Sequence, residues 1–373
     1  MHKSENKKDG ENQSKRLVYM DGIRVLAAVM VVVLHEIEPI TEGCQFGSGK
    51  YFILKFISAL SANCNLLFVM ISGSLLLEWK KEGWGGFLKR RFLKVLLPLV
   101  VYGMFYLKGC CYSKAGLLSW IRYGVETFVS GNFMKGPHLW LIYVLVGLYF
   151  TVIPFRYMLH NMEKPIKKAL VILILACLTI NTIGSYTGKG IGISIFFGGW
   201  AGIFLMGYLV NQSWMRKYDG LLIGAGFVTM AVSAWLVVTR ENCLDIISGL
   251  SILAMLMASS IFIILLRADS FLAPAGKILA MASKYSYSII LIHWYMQIRV
   301  IHNNIFNLDM NQILLLLMPI LGCILLSGII ASWMIDRLVV DLLLEGLSDC
   351  KQLCCERNFV FSRNRRKDGK YKQ

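Results

Sequence analysis

The chain has 373 residues, of which 56% are apolar and only 16% charged, and its mean hydropathy is +0.59. Soluble domains run about 45–50% apolar and about 25% charged, so a soluble enzyme, a disordered tail protein, a coiled coil and a disulfide-stapled secreted domain are all excluded. A net charge of +17, from 39 Lys+Arg against 22 Asp+Glu, would suit a nucleic-acid binder, but long uncharged apolar stretches do not.

A helix crossing a ~30 Å hydrocarbon core needs about 20 mostly apolar residues. In chain order the stretches that qualify are Leu17–Ile37, Phe56–Leu77, Phe92–Cys111, Leu139–Phe155, Ala169–Tyr186, Ile191–Val210, Leu221–Thr239, Leu244–Leu266, Tyr285–Ile305 and Ile313–Ile335. The runs are continuous and do not alternate, which favours helices over a barrel. With the N-terminus placed in the cytoplasm, the cytoplasmic segments are 1–16, 78–91, 156–168, 212–219, 267–284 and 336–373, and they hold most of the Lys and Arg. The outer segments hold only Lys50, Lys55, Lys114, Arg122, Lys135, Lys189 and Arg240. This asymmetry follows the positive-inside rule. The expectation is an all-α polytopic membrane protein, a bundle of about ten transmembrane helices with both termini cytoplasmic. Residues 1–16 are then a cytoplasmic tail, 17–335 the membrane domain, and 336–373 a basic cytoplasmic tail.

The run Arg363, Arg365, Arg366, Lys367, Lys370 and Lys372 reads as an orientation and anionic-lipid signal, so the expected partner is the lipid bilayer and no nucleic acid. The polar residues before Leu17, with no small-residue cleavage site after the first span, argue against a signal peptide. Ten cysteines show no CxxC or metal-ligand spacing; they read as reduced, small apolar residues, and no metal is expected.

Ionisable side chains inside a span are expensive and mark function. The first span carries Asp21, Arg24, His35, Glu36 and Glu38. Arg24 and His35 are eleven residues apart, about three full turns, so they share one helix face at a separation of ~16.5 Å. Asp21 lies one turn before Arg24 and Glu38 one turn after His35, so each has a candidate counter-ion. His293 falls near mid-membrane in the ninth span. His138 stands at the entrance of the fourth beside Trp140, and His160 and His302 read as loop and rim residues.

Asp21-Gly22-Ile23-Arg24 followed by His35 resembles the first-span signature of the integral-membrane acyltransferase 3 family. The likeness continues in order. Leu67-Phe68-Val69-Met70-Ile71-Ser72-Gly73 is similar to the family's second-span stretch, and Lys89-Arg90-Arg91-Phe92-Leu93-Lys94-Val95 before Pro98 to its basic segment ahead of the third span. Pro137-His138-Leu139-Trp140-Leu141-Ile142-Tyr143, Phe204-Leu205-Met206-Gly207-Tyr208 and Tyr287-Ser288-Ile289-Ile290-Leu291-Ile292-His293-Trp294 match later segments.

The resemblance implies a membrane O-acyltransferase of the bacterial cytoplasmic membrane. It would move an acyl group, usually acetyl, from cytoplasmic acetyl-CoA or another acyl-CoA to a hydroxyl of a cell-envelope glycan or lipid-linked sugar acceptor. Arg90, Arg91 and Lys94 would attract the coenzyme A phosphates. His35 would act as general base on the acceptor hydroxyl, with Arg24 in line on the same face. Glu36 or Glu38 would orient the ring and stabilise the imidazolium. His138, Trp140 and His293 would contact substrate, and Ser72 beside Gly73 reads as a close helix contact. A covalent acyl-histidine relay is a variant of this scheme. The competing reading is non-enzymatic, a transporter or exporter of an envelope polysaccharide or lipid-linked precursor using the same intramembrane Arg and His for proton coupling. It lacks support from any inverted repeat or paired broken helices in matching halves.

Overall fold

In hydrocarbon every backbone N–H and C=O needs an internal partner, which long apolar runs meet by coiling into helices. The computed structural model describes residues 17–107, 117–131, 136–189, 196–300, 310–340 and 342–343, and among them no strand forms. The helices are α1 (Val18–Glu42), α2 (Gly49–Ser61), α3 (Cys64–Leu76), α4 (Trp84–Leu107), α5 (Leu117–Ser130), α6 (Trp140–Asn161) and α7 (Lys164–Thr187). They continue with α8 (Trp200–Val210), α9 (Asp219–Thr239), the single turn α10 (Leu244–Ile247), α11 (Ile252–Arg267), the single turn α12 (Asp269–Leu272), α13 (Gly276–Val300) and α14 (Met310–Ile335). Residues 1–16 and 344–373, which hold the N-terminal tail and most of the C-terminal one, lie outside the described residues, as do Lys108, His302 and the vicinal pairs Cys110–Cys111 and Cys354–Cys355. Cys44, Cys64, Cys177, Cys243 and Cys323 are free thiols.

Among the described residues, 6 helical stretches are long and apolar enough to cross a membrane: Val18–Glu42, Gly49–Leu76, Trp140–Asn161, Lys164–Thr187, Ser213–Thr239 and Leu321–Val340. A seventh is counted if α11 and α13, bent by 63° at their junction, form one broken span. The remaining expected spans also fall on helices, but with specific departures. α4 opens with Lys89, Arg90, Arg91 and Lys94. α8 has 11 residues, about 16.5 Å of helix, too short to cross alone. Its residues from Ala201 to Val210 are all buried, so α8 is an inner helix clothed by protein. The expected continuous span Leu244–Leu266 is interrupted after α10, where Gly249 takes a φ of 63°, a left-handed conformation that glycine adopts without a Cβ clash.

A close helix crossing joins α3 to α8. A Cβ on Gly73 would overlap the Phe204 carbonyl oxygen, and one on Gly207 would overlap the Met70 carbonyl oxygen. Small residues at such positions let two backbones approach where lipid supplies no hydrophobic drive between helices. The crossing is filled by Leu66, Leu67, Val69, Met70, Ile203 and Leu205, all buried.

Two sets of hydrogen bonds fix the helices that carry the site. The first turn of α1 is closed from the far end of the chain: Tyr19 N–H donates to Asp269 Oδ1 at 2.7 Å, a carboxylate at a helix N-terminus. Tyr19 also donates through its hydroxyl to Asn211 Oδ1 at 3.1 Å. On the other side, α4 is fastened to α13. Tyr287 donates to the Val95 carbonyl at 2.8 Å and Tyr106 to the Leu291 carbonyl at 2.7 Å. Asp336 accepts from Tyr102 at 2.9 Å and from Ser288 at 2.7 Å, tying in the end of α14.

Candidate active site

Three histidines far apart in sequence meet inside the bundle. His35 comes from α1, His138 from the 3-10 turn Pro137–Leu139 that leads into α6, and His293 from α13. The His35 and His293 rings stack with centroids 5.4 Å apart. His138 lies 4.7 Å from His293 and 6.2 Å from His35, edge-on to both. Tyr106, held by its bond to Leu291, packs 5.6 Å from His138. His293 is 1% exposed.

The hydrogen bonds assign the tautomer of His293. Its Nδ1 faces the carbonyl oxygens of Ile290 at 2.9 Å and Ile289 at 3.1 Å. A carbonyl only accepts, so Nδ1 carries the proton and Nε2 of the neutral ring presents a lone pair. That Nε2, and both ring nitrogens of His138, are buried with no hydrogen-bond partner among the described residues. Buried polar atoms are seldom left so. The cluster is therefore equipped to bind a polar group. His35 Nδ1 lies 3.7 Å from Glu38 Oε2 one turn on, within ion-pair reach of a protonated ring.

Toward the start of α1 the helix faces a second environment. Arg24 Nη1 is 3.5 Å from Asp21 Oδ1. Arg24 also lines a pocket of about 240 Å³ with Ser72, Lys94, Tyr149, Ser286, Tyr287 and Ile290 among its walls. Ile290 in its wall is one helical turn before His293 on α13. Lys94 also lines a larger basic pocket of about 530 Å³, with Lys80, Lys81, Arg90, Arg91 and Arg156 as further cations and Glu82 as its acid. The two pockets share Lys94 and follow one another along the bundle.

Glu82 pairs with Arg90 and accepts from Arg156 Nη1 at 3.1 Å. Arg156 is buried, with Nε donating to the Leu76 carbonyl at 2.6 Å and its guanidinium over the Phe87 ring. No group of three or more His, Cys, Asp or Glu among the described residues is arranged to hold a metal ion.

The family model described as an acyltransferase domain, acyltransferase 3, matches residues 17–337. The chain belongs to the acyltransferase 3 family. No curated protein and no solved structure matches it. The match takes in both pockets and all three histidines, and its helical, apolar character makes this a multi-pass membrane acyltransferase.

Within this acyltransferase, the residues singled out from sequence divide into those brought together and those not. His35, His138 and His293 converge, and Arg24, Arg90, Arg91 and Lys94 line the two pockets that share Lys94. Two of the residues singled out stand apart from the cluster. Glu36 points about 100° away from His35 on the helix and is buried with neither carboxylate oxygen hydrogen-bonded among the described residues. Of the two acids, Glu38 is the one placed 3.7 Å from His35. Trp140 is not in the cluster either; it is 40% exposed and packs 5.3 Å from Trp200. The tryptophan at the cluster is Trp294, 4.9 Å from His35 and 5.7 Å from His138. Arg156, Lys80 and Lys81 were also missed as pocket residues. Arg156 offered one sequence signal, an arginine at the end of an apolar run, but so placed it counts equally as a topology signal.

Proposed function

We propose that the chain is a membrane O-acyltransferase that moves an acyl group, acetyl in the simplest case, from cytoplasmic acyl-CoA to a hydroxyl of a cell-envelope glycan or lipid-linked sugar. The observation that carries this reading is the placement of the six-cation pocket beside the Arg24 pocket, which shares Lys94 with it and has Ile290, one turn before His293, in its wall. Coenzyme A is a polyanion joined to its thioester by a long, neutral pantetheine arm. A basic pocket followed by a narrow, mostly apolar pocket and then buried bases has the matching order of chemistry.

In this reading the phosphates sit among Arg90, Arg91, Lys94 and Arg156, and the arm runs past Arg24 to present the thioester at the histidines. A sugar hydroxyl is too weak a nucleophile at its own pKa. His35 takes its proton as the oxygen attacks the thioester carbonyl, and Glu38 stabilises the imidazolium. The tetrahedral intermediate then collapses, the C–S bond breaks, and His35 gives its proton to the departing sulfur, so coenzyme A leaves as the thiol and the base is restored. His293, with its lone pair on Nε2, suits accepting a hydrogen bond from the acceptor hydroxyl better than donating one to the oxyanion. Trp294 and His138 wall the same space.

Mass spectrometry of envelope glycans from cells with and without the chain tests the assignment of donor and acceptor together. Loss of one acyl mass from a glycan repeat on deletion, restored by the wild-type chain, supports transfer. An unchanged acyl pattern with glycan missing from the surface supports the transporter reading.

A further inference from the structure

Beside the basic pocket lies an aromatic group for which the reaction above has no use. Trp79 directly precedes the pocket residues Lys80 and Lys81, and Tyr157 and His160 directly follow Arg156 along α6. The two chain segments are pinned together on either side of it, because Arg156 donates both to the Leu76 carbonyl at 2.6 Å and to Glu82 at 3.1 Å. Between these anchors Trp79 stacks on the His160 ring, with centroids 4.1 Å apart and planes 13° from parallel. It also meets Tyr157 edge-on at 5.2 Å. The rings are thus carried by the two segments that also supply Lys80, Lys81 and Arg156 to the pocket wall. Even so, Trp79 is 42% and Tyr157 55% exposed.

Exposed aromatic surface next to clustered cations suits one class of ligand well. A purine base offers a π-face that stacks on Trp or Tyr without any particular hydrogen-bond pattern. The phosphates on its ribose call for Arg and Lys within one nucleotide's reach. Here one carboxylate, Glu82, stands against six cations, so the pocket keeps a strong surplus of positive charge. One face of Trp79 is occupied by His160, which stiffens the indole and lowers the entropy cost of presenting the rest of it.

We propose that Trp79, Tyr157 and His160 form a base-stacking ledge for the nucleotide end of the donor, with adenine on the ledge and its phosphates on Arg156 and the pocket lysines. The proposal rests on the acyl-CoA reading above and adds the part of the donor that the histidines do not touch. Membrane interfaces also gather Trp and Tyr as belt residues. A belt residue contributes nothing to nucleotide affinity, and this separates the two roles.

The test is isothermal titration of the purified protein in nanodiscs with three probes: coenzyme A, adenosine 3′,5′-bisphosphate and inorganic pyrophosphate. Trp79→Ala is expected to weaken coenzyme A and adenosine 3′,5′-bisphosphate about tenfold, equivalent to about 1.4 kcal/mol. Trp79→Phe, which keeps a stacking face, restores most of that loss, and pyrophosphate binds wild type and both variants alike. Unchanged affinity for adenosine 3′,5′-bisphosphate in Trp79→Ala overturns the ledge. So does an equal loss for all three probes, which would mark Trp79 as a structural residue. Coenzyme A binding without adenosine 3′,5′-bisphosphate binding in the wild type overturns the ledge alone. Absence of coenzyme A binding in the wild type overturns the donor assignment and the ledge with it.

Discussion

Glu36 and Glu38 sit two residues apart on α1 and meet different surroundings, the first buried without a hydrogen-bond partner among the described residues and the second 3.7 Å from His35. Glu38→Gln removes the charge that steadies the His35 imidazolium and is expected to lower turnover with little change in donor affinity. Glu36→Gln removes a buried carboxylate remote from the ring and is expected to keep turnover close to wild type. Steady-state kinetics on the two variants distinguishes them, and the reverse ranking would remove Glu38 from the mechanism. The sequence reading that sets Arg24 and His35 on one face of α1 rests on eleven residues closing almost on whole helical turns. The same periodicity favours Glu38 over Glu36, since i,i+3 neighbours meet and i,i+1 neighbours do not. No such rule reaches Trp294. Its approach to His35 and His138 depends on how α13 is rotated against α1, which the Tyr287 and Tyr106 bonds from α4 set through contacts about 190 residues apart in sequence.

At the level of elements, two of the sequence stretches that resemble the family are the two sides of one crossing. Gly73 of α3 and Gly207 of α8 each face a backbone carbonyl of the other helix, so these two glycines let the helices close on each other. Ser72 belongs to both worlds: it bonds back to the Phe68 carbonyl at 2.8 Å and lines the Arg24 pocket. Gly73→Ala and Gly207→Ala each force backbone apart, at about 1–3 kcal/mol for overpacking in a close-packed core. Each is expected to lower the unfolding temperature in detergent, read by the intrinsic fluorescence transition. An unshifted transition for both would mean that the crossing is looser than the structure has it. Helix existence was legible from apolar run length in the long spans, but not in α5 (Leu117–Ser130) or the start of α2, which fall in segments read as outer loops. Helix interruption was not, because the break at Gly249 and the short buried α8 arise from what packs around them.

For the whole molecule, the charge that first resembled a nucleic-acid signal divides into a pocket and a topology. Arg90, Arg91, Lys94, Lys80, Lys81 and Arg156 converge on one cavity, while Lys217 and Arg122 are expected on opposite sides of the bilayer by the positive-inside rule. In a cysteine-free background, Arg122→Cys should react with a membrane-impermeant maleimide in intact cells, and Lys217→Cys only after lysis. The opposite pattern would invert the orientation and place the basic pocket away from cytoplasmic coenzyme A.

The central claim is that His35 drives acyl transfer from a donor bound in the two pockets that share Lys94. Membranes supplied with acyl-labelled acetyl-CoA should pass label to envelope material when they contain the wild-type chain. With His35→Ala, expressed to the same level, the rate should fall by about 10²–10⁴-fold, the usual worth of a general base, while coenzyme A binding persists. Label transfer by His35→Ala at the wild-type rate would contradict the account.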